Sequence, residues 1–208
     1  VEHYFSDKPK VPSRPVHIRL TLDDLELDLI TDRGVFAYGQ VDRGTELLLR
    51  TIPSPAPPGD VLDIGCGYGP VAVTVARRCP ACRVWAVDVN ERALALCEEN
   101  ARRAAVDNLR AVLPAEVPAD IRFRALYSNP PIRVGRDALR GLLAGWLRRL
   151  DAGGRAYLVV QRALGSDSLA AWLATQGHRV ERLRSRAGYR VLEVHAASGT
   201  PHHGGRDR

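Results

Sequence analysis

Two short stretches of this 208-residue chain combine residue types and spacings that can do chemistry. The first is Val61-Leu62-Asp63-Ile64-Gly65-Cys66-Gly67-Tyr68-Gly69, followed by Asp88 at the end of the run Val84-Trp85-Ala86-Val87. Glycines let a backbone turn tightly and approach a ligand without Cβ interference. A carboxylate about 20 residues further on can grip two ribose hydroxyls. Strand, glycine turn, helix and a second strand ending in an acid together describe a nucleoside-cofactor site. The bland counterpart is a tight strand-to-helix turn in some other α/β protein. Cys66, inside the turn, reads as a residue that fills a tight space.

The second stretch is Ala125-Leu126-Tyr127-Ser128-Asn129-Pro130-Pro131-Ile132. Two prolines after a strand cannot continue a ladder, so they freeze a rigid loop. Asn129 then presents an amide oxygen and an NH2 group at a fixed place. The oxygen can accept a hydrogen bond from a planar exocyclic amine. Together with a carbonyl near Pro130, it can hold that amine with its lone pair toward a methyl donor. Taken alone, the same residues could be no more than a rigid turn with a capping Asn.

Elements must bring these stretches together. Val16 to Leu20 and Leu25 to Leu29 alternate apolar and polar around Asp23-Asp24, which predicts a hairpin. Arg43 to Thr51 reads as a helix, stopped by a Pro-rich connector over residues 53–59. Beyond it, strands are expected at 61–65, 82–88, 109–113, 122–128, 155–161, 179–184 and 189–195. Helices are expected at 69–78, 91–105, 136–150 and 166–176, with Asn90 as an N-cap and Gly153-Gly154 ending a helix. Alternating strands and helices give a mostly parallel sheet covered on both faces. The short link 184–188 makes the last two strands an antiparallel hairpin. Residues 1–15 read as an extended arm, and 198–208 as a disordered Gly/His/Arg tail in which His202-His203 is composition rather than a metal site.

The length fits one domain with a sizeable core, here residues 1–197: a 1–52 extension and a 53–197 core. No apolar run approaches a membrane span, and no signal peptide opens the chain. Net charge is +6, and Lys8 and Lys10 are the only lysines. The arginine bias suits a GC-rich coding sequence first, and an anionic partner such as RNA second. Cys79-Pro80-Ala81-Cys82 lacks a second pair at zinc spacing, so all four cysteines are expected as free thiols of a reducing cytosol.

The variant Asp63-x-Gly65-x-Gly67-x-Gly69 resembles motif I of the class I S-adenosylmethionine-dependent methyltransferases, and Asn129 to Ile132 resembles their motif IV for amino nitrogens. Gly34-Val35-Phe36, Asp42-x-Gly44-Thr45, His3-Tyr4-Phe5-Ser6 and Asn129 to Gly135 look like the catalytic domain of the ribosomal RNA small-subunit methyltransferase C family, over about Tyr4 to Val194. The resemblance implies a Rossmann-like class I fold: a seven-stranded mostly parallel sheet with an antiparallel last strand, helices on both faces and an N-terminal hairpin. It implies S-adenosylmethionine as cofactor, no metal, and methylation of guanine N2 in 16S rRNA in the cytoplasm, on the small subunit or its assembly intermediate. It assigns chemistry to Asn129, Pro130 and Pro131. Thr45, Asp63, Gly65, Cys66, Gly67 and Gly69 would hold the cofactor, with Asp88, Val89, Ala115 and again Asn129. Phe36 and Ile132 would pack on the target base, and Arg133 or Arg136 would meet phosphate.

Two departures stand out. Archetypal members carry two tandem domains, the catalytic one C-terminal, and this chain has room for one. Members often place Ser-Asp at the adenine pocket, where this chain has Pro114-Ala115-Glu116; backbone groups near Ala115 are favoured over Glu116. A protein glutamine methyltransferase is the nearest rival, although its motif usually continues with Tyr rather than Ile132. A non-catalytic cofactor-binding module is a rival of another class, and intact Asp63, Gly65, Gly67, Asp88 and Asn129 speak against it.

Overall fold

The computed structural model describes residues 11–53, 58–131 and 134–197. Val16–Thr21 (β1) and Glu26–Thr31 (β2) pair antiparallel. Leu27, Leu29 and Thr31 point inward from β2 while Glu26 and Asp28 point out, the alternation of a half-buried strand. Arg43–Leu49 (α1) follows, with Asp42 as N-cap. The core then runs Gly59–Ile64 (β3), Pro70–Arg78 (α2), Cys82–Val87 (β4), Glu91–Arg103 (α3), Leu109–Val112 (β5), Phe123–Ser128 (β6), Arg136–Leu147 (α4), Leu150–Gln161 (β7), Ser166–Thr175 (α5), Val180–Arg186 (β8) and Tyr189–His195 (β9).

The seven-stranded sheet has the order β5-β4-β3-β6-β7-β9-β8. Only β9 runs against its neighbours. The chain builds outward from β3 through β4 to β5, then crosses back to β6 on the other side of β3. The crevice at the carboxyl ends of β3 and β6 is therefore the topological switch point, where open α/β sheets bind ligands. Ser128 Oγ donates to Ile64 O at 2.8 Å and fastens the two strand ends together there. Each sheet face buries its own core. One core holds Tyr68, Tyr127, Tyr157, Cys97 and the hairpin leucines. The other holds Trp85, Phe123, Trp146 and Leu143.

Two expectations need correction. Gly153-Gly154 does not end a helix, because both residues lie inside β7, which starts at Leu150. The register between β6 and β7 shifts between Phe123 and Ala125. A Cβ on Gly154 would come 2.9 Å from Phe123 O, so these glycines serve a bulge with close backbone approach. Cys79 and Cys82 are not free thiols but a disulfide. The turn joining α2 to β4, closed by Cys82 N to Cys79 O at 3.0 Å, brings their Cα atoms to 5.3 Å, within the bridging range. Cys66 and Cys97 are free and buried. The arm over residues 1–10, the centre of the Pro-rich connector and the 198–208 tail lie outside the described residues.

Candidate active site at the switch point of the sheet

Gly65, Gly67 and Gly69 have φ of 69°, 55° and 88°, all in the left-handed region that glycine occupies without strain. Gly69 has a second constraint: a Cβ there would meet Cys97 Sγ at 2.6 Å and Cys97 Cα at 3.2 Å. Motif and α3 can pack only because that side chain is missing. Gly69 is also the N-cap of α2 and has no side chain to cap with. Asp63 supplies the missing acceptor from β3, taking the Ala72 N–H at 3.1 Å. Asp63 is buried, and burial pushes its carboxyl up to about 8, opposed by the Ala72 bond and reinforced by Asp88.

Asp88 lies just past the end of β4. Its Oδ2 accepts from Gly67 N at 2.9 Å, and its Oδ1 from Asn90 N at 3.0 Å. Val89 N–H bonds the same carboxylate, and three donors on its four acceptor sites leave room for one more. Burial raises the Asp88 carboxyl, with the Asn90 and Gly67 bonds pulling it back.

Asn129 follows β6, and its amide is oriented from a distance. Nδ2 donates to Asp42 Oδ2 at 2.8 Å and to Thr45 Oγ1 at 3.0 Å. An ionised carboxylate only accepts, so the NH2 must face Asp42. Oδ1 must then face away, and it has no hydrogen-bond partner among the described residues. The same Asp42 Oδ2 caps α1 by accepting from Thr45 N at 2.9 Å. Pro131 packs toward the glycine turn, its Cδ 4.0 Å from where a Gly65 Cβ would stand.

The segment before α1 closes the cleft. Asn90 Nδ2 donates to Gly34 O at 2.8 Å, Arg92 to Arg33 O at 2.7 Å, and Tyr68 Oη to Gln40 O at 3.2 Å. These bonds hang Phe36, 48% exposed, over the cleft that it lines with the glycine turn and Asn129.

Of the residues singled out from sequence, Phe36, Thr45, Asp63, Gly65, Cys66, Gly67 and Asn129 line this one cleft. Gly69 and Asp88 adjoin it through the turn. Val89 is exposed beside Asp88 and does not line the cleft. Ala115 lies in the exposed 3-10 turn Pro114–Glu116. Glu116 Oε2 accepts from Leu113 N at 2.7 Å, so that carboxylate is engaged locally. Arg136 is exposed at the start of α4. Ile132 and Arg133 lie outside the described residues. Asp42 and Tyr68, quoted within the motifs but given no role from sequence, also line the cleft. Beyond its place in Asp42-x-Gly44-Thr45, Asp42 carried a local signal: an Asp directly before an apolar helix is an N-cap pattern.

The cleft thus joins a floor of bare glycines, the Asp88 carboxylate behind it and an amide whose NH2 is held by Asp42 and Thr45. Comparison with known proteins identifies the family. An uncharacterized protein, YbxB, of Bacillus subtilis is 31% identical over 196 residues, covering 93% of this chain and 98% of that one. The ribosomal RNA small subunit methyltransferase C of Psychromonas ingrahamii is 33% identical over 156 residues, covering 72% of this chain but 44% of the relative. A T. thermophilus 16S rRNA N2 methyltransferase, solved with AdoMet and guanosine, superposes with a TM-score of 0.75 at 24% identity, over 90% of this chain and 52% of that one. The chain thus spans about half the length of these ribosomal RNA methyltransferases. Residues 26–193 match the methyltransferase small domain family, and the chain belongs to that family: it is a class I methyltransferase whose cofactor is S-adenosylmethionine.

Proposed function

We propose that this chain methylates an exocyclic amino nitrogen of RNA, namely guanine N2 in 16S rRNA. The observation that carries the reading is the orientation of Asn129. With Nδ2 bound by Asp42 and Thr45, Oδ1 is an open acceptor among the described residues, beside the glycine turn. An acceptor in that place, with a carbonyl near Pro130, holds an –NH2 by its hydrogens and turns its lone pair toward the methyl donor. The relatives named as rRNA methyltransferases support the substrate class, as does the charge of +6. The YbxB relative, matched over 98% of its own length, supports the reading of residues 1–197 as one methyltransferase domain.

The cofactor supplies an electrophilic methyl group on a sulfonium, whose departure leaves a neutral thioether. The chain's own residues bind, aim and shield. Gly65 and Gly67 let the backbone pass close under the cofactor. The remaining acceptor site of Asp88 takes a ribose hydroxyl, and exposed backbone near Ala115 takes the adenine. Pro130 and Pro131 keep Asn129 from swinging. Phe36, held out by the Gly34 and Arg33 tethers, is placed to stack on a flipped base. Such stacking contributes about 1–3 kcal/mol, comparable to the few kcal/mol that unstacking costs. Most of the rate enhancement would come from proximity and orientation, which can supply roughly 7–11 kcal/mol.

The test is transfer of labelled methyl from S-adenosylmethionine to 30S subunits and to free 16S rRNA, followed by digestion to nucleosides. N2-methylguanosine is expected. Asn129→Ala should lower transfer by about 100-fold or more while cofactor affinity changes little. Label found in a protein glutamine instead would overturn the rRNA reading, and full activity of Asn129→Ala would overturn the role of that amide.

A further inference from the structure

The β8–β9 hairpin lies at the same end of the sheet as the cleft. β3, β6 and β7 all run toward that end, and Tyr189 at the start of β9 pairs with Gln161 at the end of β7. The hairpin turns through Ala187 and Gly188 at φ of 49° and 83°, the two-residue loop that matches strand twist. Arg162 N donates to Gly188 O at 2.7 Å and ties the tip to the end of β7.

A register shift sorts the arginines of β8 between the two faces of the sheet. Arg182 pairs with Leu192, whereas Arg184 pairs with Val191 and Arg186 with Tyr189. Directly paired residues share a face, so Arg182 faces α5, where it meets Asp167 at 3.4 Å. Arg184 and Arg186 share the other face with Tyr189. That face leads to the catalytic corner: a Cβ on Gly44 would strike the Tyr189 ring at 2.8 Å, and Gly44 lies between Arg43 and Thr45. Burial, with Asp42, raises the Tyr189 phenol, and Arg43 is near enough to oppose them.

Arg43, Arg184 and Arg186 are exposed, and among the described residues they have no hydrogen bond, ion pair or ring contact. Other arginines of this sheet edge are engaged: Arg190 and Arg182 with Asp167, Arg155 with Glu193. Charge on an edge strand discourages edge-to-edge pairing, but either sign would serve. Unneutralised cations on one face beside the site call for an extended polyanion.

We propose that the face of the hairpin bearing Arg184, Arg186 and Tyr189, with Arg43 alongside, carries the phosphate backbone of the substrate RNA strand as it leaves the cleft. This rests on the RNA reading above. The test measures binding of transcribed 16S rRNA across a salt series, with cofactor affinity followed in parallel by calorimetry. Each lost phosphate contact lowers the slope of log K against log salt by about 0.7 on a single strand. The pair Arg184→Ala and Arg186→Ala should therefore lower it by about 1.4 and weaken RNA binding roughly tenfold at low salt. Arg184→Glu with Arg186→Glu should weaken binding further, and Arg184→Lys with Arg186→Lys should keep most of it. All three pairs should bind S-adenosylmethionine as the parent does, since none lines the cleft. If wild type binds and methylates RNA but the Glu pair leaves affinity and slope unchanged, the hairpin has only its edge-protecting role and the proposal is wrong. If wild type itself neither binds nor methylates the RNA, the rRNA reading fails, and the strand path fails with it.

Discussion

One oxygen of Asp42 does two jobs, capping α1 and holding the Asn129 amide. Asp42→Ala should cost about 1 kcal/mol of stability from the lost cap. It should also let the amide turn, lowering kcat by about ten- to a hundredfold with a smaller change in cofactor KM. Asp42→Asn, which keeps an acceptor oxygen, should recover most of kcat, and steady-state kinetics on the pair separates aiming from capping. Asp63 makes a prediction about pH. Its carboxyl, about 8 when folded, titrates near 3.9 in an unfolded chain. Between those values the folded form holds a proton that the unfolded form has released, so stability falls as pH rises and levels off above about 8. From pH 6 to 8 the loss should be on the order of 2 kcal/mol. Denaturant melts of wild type and Asp63→Asn check this: the variant should lack that slope, and parallel profiles would refute the assignment. Asp63, the glycines, Asp88 and Asn129 could be read in the sequence because each belongs to a local spacing. The second job of Asp42 could not, because its partner is 87 positions away and nothing near either residue announces the other.

At the scale of elements, one buried side chain joins the hairpin β1–β2, whose leucines already pack in the core, to the glycine turn. Asn100 in α3 accepts from Ile30 N at 2.7 Å and donates to Ile30 O at 2.8 Å and Tyr68 O at 2.7 Å. It thus satisfies the free edge of β2 and the cofactor turn together. Asn100→Ala would strand three backbone groups, at roughly 1–3 kcal/mol for each that stays buried. An equilibrium melt should show a loss of about 3 kcal/mol or more, and a loss under 1 kcal/mol would mean that water replaces the amide. Strands and helices were readable from periodicity, with ends displaced by a few residues. The larger miss at Gly153-Gly154 has a physical cause: a glycine pair after a helical pattern looks the same whether it ends a helix or admits a neighbouring carbonyl. Only the approach of Phe123 O decides. The Cys79–Cys82 pair is similar, since spacing permits a bridge and the turn geometry makes it.

For the whole molecule, the two cores carry different reporters. Trp85, Trp146 and Trp172 all lie with the core on the α4/α5 side, whereas the free thiols Cys66 and Cys97 lie on the other. If the chain is one cooperative domain, as proposed, tryptophan fluorescence and thiol labelling should report one common midpoint in denaturant. Two midpoints would show that the sheet does not couple its faces. The long reach from Asp42 to Asn129 also has a consequence during synthesis. Asp42 leaves the ribosome before the amide it must hold, which is made 87 residues later. Until β6 docks beside β3, that carboxylate can do no more than cap its own helix. The glycine turn and Asp88, by contrast, are only about 20 residues apart and can come together from a short, local segment. A nascent or partly folded chain can therefore assemble a cofactor site before it can aim a nucleophile, so methyl transfer is withheld until the fold is finished.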